Sequence, residues 1–122
     1  MKTIIINAIK QNSYKVELLE ESKRNKLDNI LIIKNLGDRH NKIMQISKEI
    51  KAKIKNIYII YSGKFPSSHY VKIFRDEHCI DFIIREERGG TLDNLLNAIE
   101  NRTNLSEVEG IVYRDKRQLL IT

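Results

Sequence analysis

The sequence contains few of the residues that mark disulfide-rich or secreted proteins. Among its 122 residues there are one cysteine, one proline and no tryptophan. A single cysteine excludes an internal disulfide and is compatible with a reducing compartment. Because Cys79 stands just before an apolar run, we expect a buried thiol and not a nucleophile.

Long apolar runs are also missing. None approaches the roughly 20 residues that cross a bilayer, and the N-terminus lacks the apolar region and cleavage site of a secretory signal. With 122 residues, of which 41% are hydrophobic, the chain is long enough and apolar enough to form one packed core. We therefore expect residues 1–122 to form a single cytoplasmic domain that has no membrane partner.

The charge balance is basic, with 22 lysine and arginine residues against 16 acidic residues and a net charge of +6. This balance permits weak binding to phosphate polymers. The basic residues are spread along the chain, and one predicted helix face carries Lys42, Lys48, Lys51, Lys53 and Lys55 without interleaved aromatic residues. That pattern favours a solvated surface, so nucleic-acid binding is only a secondary alternative.

Short apolar runs alternate with amphipathic segments. Buried strands are predicted at residues 3–9, 29–34, 57–61 and 80–85. Helices are predicted to begin at Arg39 or His40, at Pro66 or Ser67, and at Thr91 as the N-cap. The first of them should end near Lys55. Two last runs, 108–113 and 118–122, flank a turn at Asp115-Lys116 and predict a hairpin.

Residues 14–25 fit either a strand or a helix. We expect a helix with Ser13 as its N-cap, because Tyr14 and Leu18 are four residues apart and the charged residues suit a solvated face. The choice affects the topology. Two strands joined by a few residues must be antiparallel, whereas an intervening helix allows a parallel crossover.

The resulting order predicts an α/β fold: a three-layer, flavodoxin-like (Rossmann-like), mostly parallel sheet of about four strands with flanking helices and a C-terminal β-hairpin. Ligands of such sheets bind outside the carboxyl ends of the strands. The candidate binding residues are Asn35, Gly37, Asp38, Ser62, Gly63, Arg85, Gly89, Gly90 and Thr91. Backbone N–H groups at 89–91 suit an anion, although two glycines before a helix are often only a turn.

Several motifs resemble the cobalamin-binding domain at the N-terminus of many radical S-adenosylmethionine enzymes. That family has a strand ending D-x-V-V-R-G-E-G-E followed by T-L-x-x-L-L, and this sequence matches it at Asp81, Arg85, Glu87, Thr91, Leu92, Leu95 and Leu96. Residues 105–115 resemble the family's L-x-x-V-x-G-I-x-Y-R segment. Residues 61–67 resemble its glycine-glycine-proline loop, and residues 27–32 its P-D-V-V-G-I strand entry.

The departures from the family pattern fall where glycines let the corrin ring approach the backbone. Ser62 replaces the first glycine of the pair, and Glu86 and Arg88 replace two glycines after Arg85. We therefore expect no bound cofactor, with cobalamin or a small anionic ligand such as a nucleotide as the alternative.

A histidine near the second loop imitates a cobalt ligand. Asp38-Arg39-His40 resembles the start of a D-x-H-x-x-G motif, but Ile43 stands at the glycine position. We expect His40 to be an ordinary residue at a helix start. His69 and His78 match no zinc spacing, so no metal site is predicted.

The resemblance also implies missing parts. The family has a strand and helix before the strand at 3–9, and a radical domain whose cluster needs three cysteines, whereas this sequence has one. If the remaining strands close up in chain order, right-handed crossovers place every helix on one face. The other, apolar face would need a cover. We expect a homodimer or a protein partner, and a non-catalytic accessory or regulatory module. The alternative is a small enzyme or nucleotide binder that uses the same cleft at the strand ends.

Overall fold

The computed structural model describes residues 3–10, 13–18, 29–35, 39–54, 56–85 and 89–122, with the backbone alone for residues 3–10, 13–18 and 29. The strands are β1 (Thr3–Lys10), β2 (Ser13–Leu18), β3 (Asn29–Asn35), β4 (Ile57–Gly63), β5 (Phe82–Ile84), β6 (Ile111–Asp115) and β7 (Gln118–Ile121). The helices are α1 (His40–Lys53), α2 (Lys64–Asp76) and α3 (Thr91–Asn101), with a 3₁₀ turn at Leu105–Glu107.

The strands form one sheet in the order β2-β1-β3-β4-β5-β6-β7. β1, β3, β4 and β5 are parallel neighbours, and β2, β6 and β7 add antiparallel strands at the two edges. The predicted fold class is therefore confirmed: four parallel strands follow one another in chain order, and the C-terminal hairpin extends the same sheet.

The predicted helix at 14–25 is wrong over its described part. Ser13–Leu18 is a strand that pairs antiparallel with β1, with Ile4 opposite Leu18 and Lys10 opposite Ser13. Apolar and charged residues alternate from Tyr14 to Leu18, which is the period of a strand and not of a helix. Ser13 is consequently a strand residue and not an N-cap, while residues 19–25 lie outside the described part.

Two apolar clusters lie on the two faces of the sheet. On one face, α1 and α2 cover Leu31, Ile33, Ile59, Tyr61 and Ile83. On the other face, Leu95 and Ala98 of α3 belong to a cluster with Ile30, Ile32, Ile60, Phe82 and Ile84. The prediction that every helix lies on one face is thus wrong, because α3 leads to the antiparallel β6 and the handedness rule for parallel crossovers does not apply to it.

Element boundaries shift by a few residues from the prediction. α2 begins at Lys64, ahead of the predicted Pro66, and has a non-helical residue at His69. The N-cap of α3 is Gly90 with φ +94°, so Thr91 is its first helical residue and not its cap. The hairpin turn carries Lys116 with φ +59°. Within the described ranges, no helix has the length and apolar character to cross a membrane.

Candidate functional site

The carboxyl ends of β3 and β4 bring three predicted residues together. Asn35 is paired with Gly63 in the parallel register, one residue beyond Ser62. Asn35 and Ser62 are 2% and 1% exposed. The predicted residues Gly37 and Asp38 lie outside the described residues. We name the described set Asn35, Ser62 and Gly63 the strand-end surface.

Gly63 is held by the neighbouring strand. Its φ is +118°, and a Cβ on this residue would lie 2.3 Å from the carbonyl oxygen of Asn35. Ser67 Oγ lies 2.7 Å from the Gly63 carbonyl oxygen and 3.2 Å from that of Ile84, so one hydroxyl bridges the ends of β4 and β5. The need for glycine at position 63 therefore follows from backbone packing alone.

A hydrogen-bonded chain of side chains runs beside the strand-end surface. Asn35 Nδ2 donates to the Tyr61 hydroxyl at 2.9 Å, and the same hydroxyl lies 3.0 Å from His40 Nδ1. Tyr61 is fully buried. Burial raises the pKa of Tyr61 to about 12, against a smaller lowering by the Asn35 hydrogen bond, so the phenol keeps its proton at neutral pH.

Three rings stack where α1 and α2 begin. The ring of Phe65 lies 4.6 Å from that of His40 and 4.3 Å from that of His69, measured between centroids. Burial lowers the pKa of His40, and His69 and Lys72 act in the same direction while Glu77 opposes them. His40 is the first residue of α1 and joins a ring stack, in agreement with its expected place at a helix start.

Three other predicted residues line a separate cleft of about 540 Å³. Arg85, Gly89 and Thr91 form part of its wall, together with Asn94, Glu107, Glu109, Gly110 and Thr122. Arg85 Nη2 donates to the Thr122 carbonyl oxygen at 2.8 Å, which fixes the guanidinium beside the cleft. The exposed Gly90 is the left-handed cap of α3. The predicted residues thus fall into two groups.

Asp81, the first residue of the family-like motif, lies at the opposite end of β5 from Arg85, because it precedes the strand and Arg85 follows it. Its carboxylate accepts a hydrogen bond from Ile59 N at 2.8 Å and pairs with the Lys51 ammonium, which also donates to the Ile57 carbonyl at 2.8 Å. These contacts tie α1 to the starts of β4 and β5. Asp81 therefore helps to hold α1 against the sheet.

Tyr61, Phe65 and His69 were not among the predicted binding residues. The signal for Tyr61 was a polar tip in a buried apolar strand, since a buried tyrosine hydroxyl usually has a partner. Phe65 and His69 stand four residues apart at a helix start, the spacing at which side chains on one helix face meet.

The described structure also bears on a cysteine nucleophile, a metal site and a nucleic-acid-binding surface. Cys79 is 6% exposed, as expected, and burial raises the pKa of its thiol, which disfavours the nucleophilic thiolate. The described residues contain no group of three or more histidine, cysteine or acidic residues suited to a metal. On the basic face of α1, Lys48 pairs with Glu77 at 3.0 Å and Lys51 pairs with Asp81, so two of its charges are engaged within the molecule.

The fold defines a Rossmann-like α/β domain, a class of protein whose ligands bind outside the carboxyl ends of the strands. Its relatives were sought by sequence and by structure. No family model matches the sequence. Over 95 residues, or 76% of this chain, the sequence is 33% identical to the anaerobic magnesium-protoporphyrin IX monomethyl ester cyclase of Synechocystis sp.. The chain spans 19% of the length of that curated relative.

The fold is similar to part of OxsB, a cobalamin-dependent S-adenosylmethionine radical enzyme whose structure contains aqua-cobalamin and S-adenosylmethionine. The match has a TM-score of 0.66 at 21% identity and covers 76% of this chain and 13% of OxsB. The family prediction is confirmed by these two similarities: the chain is a domain related to the cobalamin-binding-like domains of radical S-adenosylmethionine enzymes.

Proposed function

We propose that this domain is a non-catalytic binding module of the cobalamin-binding type that no longer holds the cofactor and acts on a protein partner as an accessory or regulatory subunit. The observation that carries the proposal is the closure of the strand-end surface. Asn35 and Ser62 are buried, and the space beside the Gly63 Cα is filled by the Asn35 backbone.

The described residues of this surface do not fit a corrin ring. A macrocycle needs small residues at the strand ends that leave the backbone open to it, as the family's glycines do. Here Ser62 is buried with its Oγ 3.5 Å from the Ile33 carbonyl oxygen, and the aromatic rings of Phe65 and His40 stack next to Tyr61.

The direct test is an absorbance titration of the purified protein with hydroxocobalamin. The spectrum of cobalamin-bound OxsB is the reference for a protein-bound corrinoid. We expect the corrinoid spectrum to stay that of the free cofactor, because the closed surface offers it no contact. A saturable spectral change at one corrinoid per chain would contradict the loss of binding and would identify a cobalamin carrier or sensor.

A small anionic ligand is a second candidate, supported by the cleft beside α3. Arg85, Gly89 and Thr91 converge there, and the guanidinium and the first turn of a helix both favour negative charge. Glu107 and Glu109 on the same wall disfavour a polyanion, so a group with one phosphate fits the cleft better than a triphosphate.

The second candidate is tested with adenosine monophosphate as the probe. Ligand-observed NMR should show saturation transfer to the probe with the wild-type protein and a loss of transfer with Arg85→Gln. Arg75→Gln is the matched control, because Arg75 is an exposed arginine that pairs with the adjacent Asp76. Equal transfer in all three proteins would place the probe elsewhere and reject this cleft.

A further inference from the structure

The side chains of Asn35, Tyr61 and His40 join three elements, because they lie at the end of β3, in β4 and at the start of α1. The Tyr61 oxygen accepts a hydrogen bond from Asn35 Nδ2 at 2.9 Å. His40 Nδ1 is the other polar atom within hydrogen-bond distance of that oxygen among the described residues, at 3.0 Å. The Tyr61 hydroxyl therefore has two hydrogen-bond neighbours, the Asn35 amide and the His40 ring.

The available hydrogens determine which group donates in each hydrogen bond among Asn35, Tyr61 and His40. The Tyr61 hydroxyl has one hydrogen to donate, and the amide of Asn35 already donates to its oxygen. A buried O–H group needs an acceptor, and His40 Nδ1 is the acceptor at hand. Neutral His40 must then carry its own proton on Nε2. Hydrogen bonds in this state run from Asn35 to Tyr61 and from Tyr61 to His40.

Protonation of His40 is incompatible with that direction. An imidazolium donates from both nitrogens, so Nδ1 can no longer accept from Tyr61. The phenol then has to accept from His40 and donate to Asn35, which requires the Asn35 amide to turn its oxygen toward Tyr61. One proton at His40 thus reverses the donor and acceptor roles in both hydrogen bonds, the one between Asn35 and Tyr61 and the one between Tyr61 and His40.

We propose that Asn35, Tyr61 and His40 form a proton-controlled relay that sets the orientation of the Asn35 amide at the end of β3. The relay places a pH-sensitive element directly beside the strand-end surface. Asn35 is the residue whose backbone contacts Gly63, so a reorientation of its side chain acts on the closed surface itself. The relay is set by the hydrogen-bond geometry of these three side chains, with or without a bound cofactor or partner.

The surroundings of His40 favour the neutral form. Its ring is stacked between Tyr61 and Phe65, with centroid distances of 5.8 Å and 4.6 Å. The charged and titratable groups that act on it come from α2 and the residue after it: His69 and Lys72 oppose protonation, and Glu77 favours it. Acidification is therefore the change that reverses the relay.

The first measurement is the tautomer of His40 in the wild-type protein, read from long-range ¹H–¹⁵N correlation spectra of the histidine rings. At pH 8 we expect Nδ1 to be unprotonated and Nε2 to carry the hydrogen. On acidification, the side-chain amide signals of Asn35 should move with the same midpoint as His40. A neutral His40 with its hydrogen on Nδ1, or Asn35 signals that ignore this midpoint, would overturn the proposal.

The second measurement reverses the relay by substitution. Asn35→Asp keeps the size of the side chain but replaces the donor with an acceptor, so Tyr61 should donate to position 35 and accept from His40. The neutral tautomer of His40 should change to Nδ1–H at a pH where the new carboxyl group is ionised. Ser62→Ala is the control, since Ser62 is equally buried and outside the relay, and it should keep the wild-type tautomer.

An unchanged Nε2–H tautomer in folded Asn35→Asp would contradict the relay. If Asn35→Asp does not fold, the wild-type tautomer and the coupled Asn35 signals decide the question alone.

Discussion

At the scale of single residues, two glycines of the predicted site have different reasons to be glycine. Gly63 has φ +118° and faces the Asn35 carbonyl, where a Cβ would lie 2.3 Å from the oxygen. Gly89 is exposed, and a Cβ there would meet nothing within 4 Å. The first glycine is required by the fold, and the second leaves open space in the wall of the cleft.

Alanine substitutions at positions 63 and 89 distinguish a glycine that backbone packing requires from one that it does not. Gly63→Ala should lower the free energy of unfolding by about 2–3 kcal/mol, because it adds both a strained dihedral and a backbone clash. Gly89→Ala should change it by no more than about 0.5 kcal/mol. Urea denaturation of both variants measures the difference, and equal costs would contradict the packing at Gly63.

The lowered pKa of His40 makes a contribution to stability that depends on pH. Because the pKa is lower in the folded state than its ordinary value of 6.5, the unfolded chain binds this proton first on acidification. Stability from this residue is present at neutral pH and is lost as the pH falls below about 6.5.

His40→Gln removes the titrating ring while keeping a polar side chain. The free energy of unfolding of this variant should fall less steeply between about pH 6.5 and pH 5 than that of the wild-type protein. Asn41→Gln, a change at the exposed and uncharged residue next to His40, is the control and should keep the wild-type slope. A wild-type slope in His40→Gln would show that His40 is not the group that titrates.

At the scale of secondary-structure elements, Arg114 of β6 closes the end of α2. Its guanidinium donates to the carbonyl oxygens of Phe74, of Glu77 at 2.6 Å and of Ile80 at 3.4 Å. It also lies 4.7 Å from the centroid of the Phe74 ring. Carbonyl groups left unpaired at the C-terminus of a helix are in this way satisfied by a cation, which also suits the helix dipole.

Arg114→Met should therefore destabilise the protein by about 2–3 kcal/mol, since it leaves several part-buried carbonyls without a charged donor. Arg117→Met changes an exposed arginine in the β6–β7 turn and should be close to neutral. Thermal denaturation of the two variants provides the comparison. Similar melting temperatures for both would refute the capping role of Arg114.

The elements also show where sequence reasoning reached its limit. The buried strands at residues 29–34 and 57–61 were predictable, because nearly continuous apolar runs are typical of central parallel strands. The segment after Ser13 was not, since six residues with alternating polarity also carry helix-compatible charges. The Asn35–Tyr61–His40 contacts could not be predicted either, because they join residues 21 or more positions apart that meet only after the sheet forms.

At the scale of the whole molecule, α3 covers part of the sheet face that the sequence argument left bare, and Leu95 and Ala98 are buried there. A homodimer or a partner complex stays a prediction, and the described exposed apolar side chains available to it include Val71 and Ile121, which are 57% and 51% exposed. Light scattering at micromolar concentration should give a mass of twice the 14.3 kDa chain. A mass of one chain would exclude the homodimer.

We propose that the cobalamin-binding type of fold is kept while the surface for the corrin ring is closed. The most direct measurement is the amount of corrinoid retained per chain when the wild-type protein is incubated with hydroxocobalamin and then desalted. We predict that essentially none is retained, because Asn35 and Ser62 are buried and the Asn35 backbone fills the space beside Gly63. Retention near one corrinoid per chain would contradict the account and restore this domain to the cofactor-binding members of its family.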